Sequence, residues 1–164
     1  MSSQRIQKMF NYHQWAWRHV FASVHKLDEA EYRMERPFFW GSIHNVLAHS
    51  VSADYIWLNR TIGNHIYRLS DGNDYADFEE ILEQWMAIWD DWSALLRSFT
   101  ENEYESPIKY RTTEDIDQQT VLADILHHMI NHGTEHRSQL TPLLFQLGHP
   151  TPALDYIAYC RQHD

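Results

Sequence analysis

The chain has 164 residues, 43% of them hydrophobic, and its 23 acidic residues against 13 Lys and Arg give a formal net charge of −10. This balance argues against nucleic-acid binding, which draws most of its affinity from the neutralisation of phosphates. No apolar stretch approaches the ~18 residues of a membrane span, and no basic segment precedes an apolar run as in a secretory signal. We therefore expect one domain over residues 1–164, without a nucleic-acid or membrane partner.

The turn and cysteine contents indicate the fold class and the compartment. Five Gly and five Pro favour long regular elements with few turns, and hence an all-α fold. The single cysteine, Cys160, permits no intramolecular disulfide, which favours a cytoplasmic protein.

The first predicted helix covers residues 5–27. Its apolar positions alternate between spacings of four and three, which is the seam of a helix packed lengthwise in a bundle. The seam consists of Ile6, Phe10, His13, Trp17, Val20, Val24 and Leu27. His13 is thus either a hydrogen-bonded core histidine or a group that faces the substrate or the metal ligands.

A second helix is predicted over residues 43–62. Ser42 is a good N-cap for it, and Gly63 is a good residue to end it. His49 lies on the largely apolar stripe of this helix. His44 lies about 140° away around the helix, so we expect it nearer to solvent.

The third helix follows a turn cluster at residues 71–74, and Asp77 is expected to cap it with Glu80 as its capping-box partner. Its tryptophans at helical spacing are typical of core or of a dimer surface rather than of a cofactor site. With the first seam they offer more apolar surface than one small bundle is expected to bury. The sequence therefore predicts a homodimer.

The remaining chain completes the predicted topology. Residues 101–119 are polar, with a β-leaning run at 108–111, and form either a brief hairpin or an ordered crossover. Thr120 is expected to cap the fourth helix, which ends at Gly148, and residues 152–161 are expected to form a short helix. Together these features predict a four-helix bundle with a long crossover and a short C-terminal helix.

The fourth helix carries an unusual stripe of polar rings: His128, His132 and His136 lie on successive turns. Such spacing places the three imidazoles on one face. A core-facing helix would normally place Leu or Ile there, because burying an unpartnered polar ring costs about 1–3 kcal/mol. A metal would satisfy these rings, and His49 is the natural third ligand beside His132 and His136.

Two other interpretations of these histidines stay open. The chain has twelve histidines, so any single one is more simply structural or solvated. Residues 132–136 also spell H-x-x-E-H, the inverted zinc-protease signature, in which Glu135 would be the general base. The short chain, the upstream third histidine and the lack of a β-structure for peptide binding argue against that protease.

Seven stretches of the chain carry a resemblance to a known family: residues 11–16, 42–49, 57–60, 126–128, 131–139, 147–150 and 154–156. They are similar to the DinB/YfiT-like family, the damage-inducible four-helix-bundle group that is distinct from the polymerase of the same name. The resemblance implies a divalent metal, often nickel or zinc, held by His49, His132 and His136. Ser138 departs from the family pattern, in which Gly often follows the His-Arg pair. His128 matches a histidine often present there, which suggests a role beside the ligands.

The resemblance also implies a class of chemistry. Members include S-transferases and isomerases that use low-molecular-weight thiols, and dimers are common among them. Zinc held by three neutral nitrogens with an open position lowers the pKa of water to about 7 or holds a thiolate for attack. We therefore expect a metal-dependent transferase or hydrolase of a small molecule, with Glu135, His13 and Arg137 as candidates for substrate or proton contacts. The alternative is a non-catalytic metal-binding module of a stress response.

Overall fold

Four long helices make up most of the chain, in a computed structural model that describes residues 2–163. The long helices are α1 (Ser3–Val24), α3 (Ile43–Thr61), α4 (Phe78–Ser98) and α6 (Leu122–Gln146), and the short ones are α2 (Glu29–Arg33), α5 (Glu101–Tyr104) and α7 (Tyr156–His163). A 3-10 turn (Gly72–Asp74) precedes α4, and the strands β1 (Pro107–Arg111) and β2 (Asp117–Val121) precede α6. The predicted four-helix bundle with a long crossover and a short C-terminal helix is confirmed.

The helix ends follow the capping chemistry of the sequence. The Ser42 side chain accepts the N–H of Asn45, and the Asp77 side chain accepts the N–H of Glu80, so both predicted N-caps form. Gly63 follows α3 with φ +83°, a conformation that costs glycine little. Each of these signals is local, so sequence alone was enough to locate these helix ends.

The segment before α6 forms an antiparallel hairpin, which is one of the two alternatives that the sequence left open. Ile108 pairs with Thr120 and Arg111 with Asp117 across it. The prediction that Thr120 caps the fourth helix is wrong, because Thr120 belongs to β2 and Val121 is the N-cap residue of α6. Pairing with β1 fixes this residue in the strand.

The tryptophans of α4 lie inside the bundle. Trp85, Trp89 and Trp92 are almost completely buried, and the ring of Trp85 lies 4.6 Å from that of Trp17. The indole N–H of Trp85 donates to the buried carboxylate of Asp54 at 2.7 Å. The stripe was interpreted as either core or dimer surface, and the structure shows that it is core. The tryptophan stripe of α4 therefore does not supply the exposed apolar surface on which the homodimer prediction partly rested.

The C-terminal helix α7 packs beside α1. The Tyr159 ring lies 5.9 Å from that of Tyr12 and 5.6 Å from that of Trp15. Cys160 is half-buried in this region. Across residues 2–163, no helix combines the length and apolar character needed to cross a membrane.

His44 is buried, which contradicts its expected position nearer to solvent. Its Nδ1 lies 2.8 Å from the Tyr32 hydroxyl and its Nε2 lies 2.7 Å from the Gly72 carbonyl oxygen. Helix α2 and the 3-10 turn therefore cover this face of α3, which the periodicity of α3 does not reveal. Burial lowers the pKa of His44 below its usual value.

We expect His44→Ala to destabilise the fold by about 1–3 kcal/mol, because it leaves the Tyr32 hydroxyl and the Gly72 carbonyl without their partner. Urea denaturation measures this change. His149→Ala, at a half-buried position beyond α6, serves as the control and should change the free energy of unfolding by less than about 0.5 kcal/mol. Equal stability of the two variants would contradict a structural role for His44.

Candidate metal centre

Three histidines from two helices direct their Nε2 atoms at one another. The Nε2 of His132 lies 3.3 Å from that of His49 and 3.0 Å from that of His136. The possible ligand atoms of the three residues all lie within 4.8 Å of one another. Within the described part of the chain, this is the group of His, Cys, Asp or Glu side chains that is arranged to hold a metal ion.

The packing of α3 against α6 creates this group. His132 and His136 are four residues apart in α6, so they share a face. His49 precedes His132 by 83 residues and reaches it because α3 and α6 are in contact. The structure thus brings together the three histidines that the sequence singled out as ligands.

The surroundings keep two of the imidazoles neutral at neutral pH. Burial, and secondarily the proximity of His136, lower the pKa of His49 to about 4. Burial and the neighbouring histidines lower the pKa of His132 to about 3. A neutral imidazole has a free nitrogen lone pair, which is the form that binds a metal.

Gln139 orients the ring of His136. The Nδ1 of His136 lies 3.0 Å from the Oε1 of Gln139, one turn further along α6. A carbonyl oxygen only accepts, so Nδ1 carries the hydrogen and Nε2 keeps its lone pair towards the other histidines. Gln139 was not among the predicted site residues, although its i, i+3 spacing from a predicted ligand is a usable signal.

Trp40, in the segment before α3, packs on the histidines and was also missed. Its ring stacks on that of His49 at 4.1 Å and meets the His136 ring edge-on at 5.5 Å. A cavity of about 590 Å³ begins here, lined by Trp40, His49 and the loop at residues 69–73. A larger cavity of about 680 Å³ lies between the end of α3 and the hairpin, and none of the three histidines lines it.

His13 and Arg137 lie in the core, outside the group of three. His13 is fully buried, with Nε2 3.6 Å from the Asp54 carboxylate and Nδ1 3.4 Å from a guanidinium nitrogen of Arg137. The Arg137 guanidinium lies 5.4 Å from the Trp17 ring and 5.8 Å from the Tyr12 ring. Of the two readings of His13, the structure favours the core histidine.

Gly133 lets α1 approach the helix that carries two of the histidines. A Cβ atom at this position would lie 2.4 Å from the Cε1 atom of His13 and 3.0 Å from the Arg137 guanidinium. The separation from the His13 ring is too short for a side chain unless the ring or the helix moves. The contact between α1 and α6 therefore depends on a glycine beside His132.

Glu135 and His128 are exposed on α6. Among the described residues, the Glu135 carboxylate forms no hydrogen bond with the three imidazoles, so the protease-like arrangement of this residue has no geometric support. The His128 ring lies 5.6 Å from that of His132 and meets the Trp57 ring edge-on at 5.3 Å. His128 therefore adjoins the group without belonging to it.

Comparison with known proteins gives three agreeing results. The family model described as DinB family matches residues 1–163. Protein DinB of Bacillus subtilis (strain 168) is 23% identical over 159 residues, which cover 93% of this chain and 91% of that protein. The fold is similar, with a TM-score of 0.67 and 17% identity over 90% of each chain, to YfiT from Bacillus subtilis, described as a probable metal-dependent hydrolase with an unusual four-helix bundle topology. Because the family model spans nearly its whole length, this chain belongs to the DinB family.

Proposed function

We propose that the protein is a divalent-metal-dependent enzyme of the hydrolase type that acts on a small molecule. His49, His132 and His136 hold the ion, with zinc or nickel as the preferred metals. The observation that carries the proposal is the convergence of three Nε2 atoms from two helices. The similarity in fold to a probable metal-dependent hydrolase supports the reaction class.

Two of the three nitrogen separations match those around such an ion. Zinc–nitrogen bonds of about 2.0–2.1 Å in tetrahedral geometry place two ligand nitrogens about 3.3 Å apart. The observed separations from the His132 nitrogen are 3.3 and 3.0 Å. One N–H of His132 cannot serve both neighbours as a hydrogen-bond donor, whereas a cation satisfies all three lone pairs.

The donor set suits catalysis. The described group contains three imidazoles and no carboxylate. Because neutral imidazoles carry no negative charge, the bound ion would keep its full positive charge. An ion held in this way acts as a Lewis acid and lowers the pKa of water or of a thiol. Trp40 and Gln139 orient the histidine rings, and the cavity beside His49 offers room for a substrate.

The walls of this cavity indicate part of the substrate. Phe39 and Leu69 line it, and the side chain of Phe39 is 89% exposed. Leu69 is exposed as well, by 38%, and apolar side chains that face solvent together beside a reactive centre are suited to contact with a ligand. We infer that the substrate has an apolar part on this side of the ion.

A thiol S-transferase is the second candidate, and the same donor set favours it. Among the described residues, the group includes no carboxylate that could act as a general base. A metal-activated thiol needs no such base once its proton has been lost. Transfer of a low-molecular-weight thiol to an electrophile is therefore the alternative to hydrolysis.

Metal analysis followed by paired assays tests these proposals. We expect about one divalent ion per chain, as three ligands to a single ion require. Turnover should depend on that ion, with either a chromogenic ester or a thiol and a chromogenic aryl halide. The spectrum of the cobalt-substituted protein reports whether a coordination position is open. A saturated coordination sphere and no turnover in either assay would instead favour the non-catalytic metal-binding module.

We also propose that residues 1–164 form a single domain. In its support, one continuous cluster of buried apolar side chains includes residues from α1, α3, α4 and α6.

A further inference from the structure

Arg60 lies in the last turn of α3, beside the hairpin. Its guanidinium carbon lies 4.8 Å from the centre of the Trp57 ring and 5.1 Å from that of the Tyr110 ring. Aromatic rings that cover the face of a guanidinium leave the in-plane N–H groups as its hydrogen-bond donors. These donors form a planar fork that matches an oxyanion.

No acidic side chain within residues 2–163 balances the charge of Arg60. Its buried Nε has no hydrogen-bond partner. Burial lowers the pKa of Arg60, and no nearby carboxylate raises it. By contrast, Arg33, Arg68 and Arg111 each pair with a carboxylate. In a chain with 23 acidic residues against 13 Lys and Arg, a half-buried arginine without an acidic partner is available for a ligand.

A row of rings connects Arg60 with the candidate metal centre. The Trp57 ring lies 5.3 Å from that of His128, and the His128 ring lies 5.6 Å from that of His132. Trp57 follows His49 by eight residues of α3, or about 12 Å along the helix axis. Long helical side chains lean towards the N-terminus of their helix, and the Arg60 guanidinium accordingly lies over the Trp57 ring.

We propose that Arg60, flanked by Trp57, Tyr110 and His128, binds an oxyanion of the substrate. The substrate class is then a small molecule whose carboxylate or phosphate group lies about 10–12 Å from the atom that reacts at the metal. The part between these ends lies along the rings of Trp57 and His128. This inference rests on the proposed function for the metal-binding end of the molecule.

Titration of the cobalt-loaded protein with matched thiols tests the subsite. The probes are ω-mercaptooctanoate and ω-mercaptooctanol, whose chains are long enough to span this separation, and the readout is the thiolate-to-cobalt charge-transfer band. We expect the wild-type protein to bind the carboxylate about tenfold more tightly than the alcohol, because bonds between charged partners exceed neutral ones. A third probe with a terminal phosphate distinguishes the two oxyanions by their relative affinities.

Variants locate the effect. Arg60→Gln should bring the ratio of the two affinities close to one while leaving the cobalt spectrum and the alcohol affinity unchanged. Arg60→Lys should keep a smaller preference, because it retains the charge but loses the fork. Arg18→Gln is the matched control, since the Arg18 guanidinium also lies over a tryptophan ring, that of Trp89 at 5.3 Å, and it should keep the full preference.

The outcomes separate the two proposals. Equal affinities of the wild-type protein for acid and alcohol would overturn the subsite, and that comparison needs no variant to fold. A preference that survives in folded Arg60→Gln would overturn it as well. In both cases uptake of cobalt leaves the proposed metal site intact. A wild-type protein that takes up no cobalt would overturn the metal site and, with it, a subsite defined by distance from the ion.

Discussion

Replacement of His49, His132 or His136 by alanine, one at a time, is expected to abolish stoichiometric metal binding. Each imidazole supplies one of three nitrogens, and the group contains no further side chain to replace it. Loss of a residue that merely orients a ligand lowers metal affinity about 10–100-fold, so loss of a ligand itself should lower it further. Metal content after dialysis, measured by mass spectrometry of the ion, gives the result.

Two variants on α6 serve as controls for this experiment. His128→Ala removes an imidazole one turn before His132 and should retain the full metal content. Gln139→Ala removes the acceptor of the His136 Nδ1 hydrogen and should lower the affinity by an intermediate factor of about 10–100. Full metal content in His49→Ala would show that α3 contributes no ligand.

Removal of the metal by a chelator is expected to lower Tm by about 5–10 °C at neutral pH. An ion that binds the folded chain alone stabilises it by about 2.7 kcal/mol at a free concentration of about 100 times Kd. For a chain of this size, each kcal/mol moves Tm by about 2–4 °C. The effect should be seen by scanning calorimetry, and unchanged melting of protein shown to be metal-loaded beforehand would contradict it.

The dependence of this stability on pH follows from the lowered pKa values. In the unfolded chain His49 and His132 titrate near 6.5, but in the folded metal-free chain they titrate near 4 and 3. Below pH 6.5 the unfolded chain therefore binds protons that the folded chain does not, and the free energy of unfolding decreases as the pH falls towards 4. For the same reason, protons compete with the metal at these two positions nearer to pH 4 than to pH 6.5.

The difference in Tm between the metal-loaded and the metal-free protein should thus persist at pH 5.5. Both forms should melt at lower temperatures there than at neutral pH. Calorimetry with and without chelator at the two pH values measures both changes. If the difference in Tm between the two forms disappeared already at pH 6, proton competition at unperturbed histidines would explain the data better.

Local patterns were sufficient to predict the four long helices, the C-terminal helix and the three clustered histidines. The i, i+4 spacing of His132 and His136 and the position of His49 on an apolar stripe are properties of single helices. Trp40 was missed because it lies in an irregular segment whose path depends on the packing of the whole bundle. His44 was misplaced for a related reason, since α2 and the 3-10 turn cover it from elsewhere in the chain.

The homodimer stays a prediction, because the pattern on which it rests leaves open what buries each apolar face. The prediction counted the apolar faces of two helices as surface in excess of one bundle. The aromatic side chains of α1 and α4 pack against one another, as the 4.6 Å separation of the Trp17 and Trp85 rings illustrates. Amphipathic periodicity identifies a buried face, but it does not tell whether the same chain or a second copy buries it.

Gly133 influences the geometry of the candidate metal centre through the contact between α6 and α1. A side chain there would have to move the His13 ring about 1 Å to reach an ordinary carbon–carbon contact, or displace α6 by a similar distance. Metal–ligand bonds tolerate about 0.2 Å, and His132 and His136 both belong to α6. The contact of α1 with α6 therefore limits the distance between the two histidines of α6 and His49 of α3, although α1 contributes no ligand.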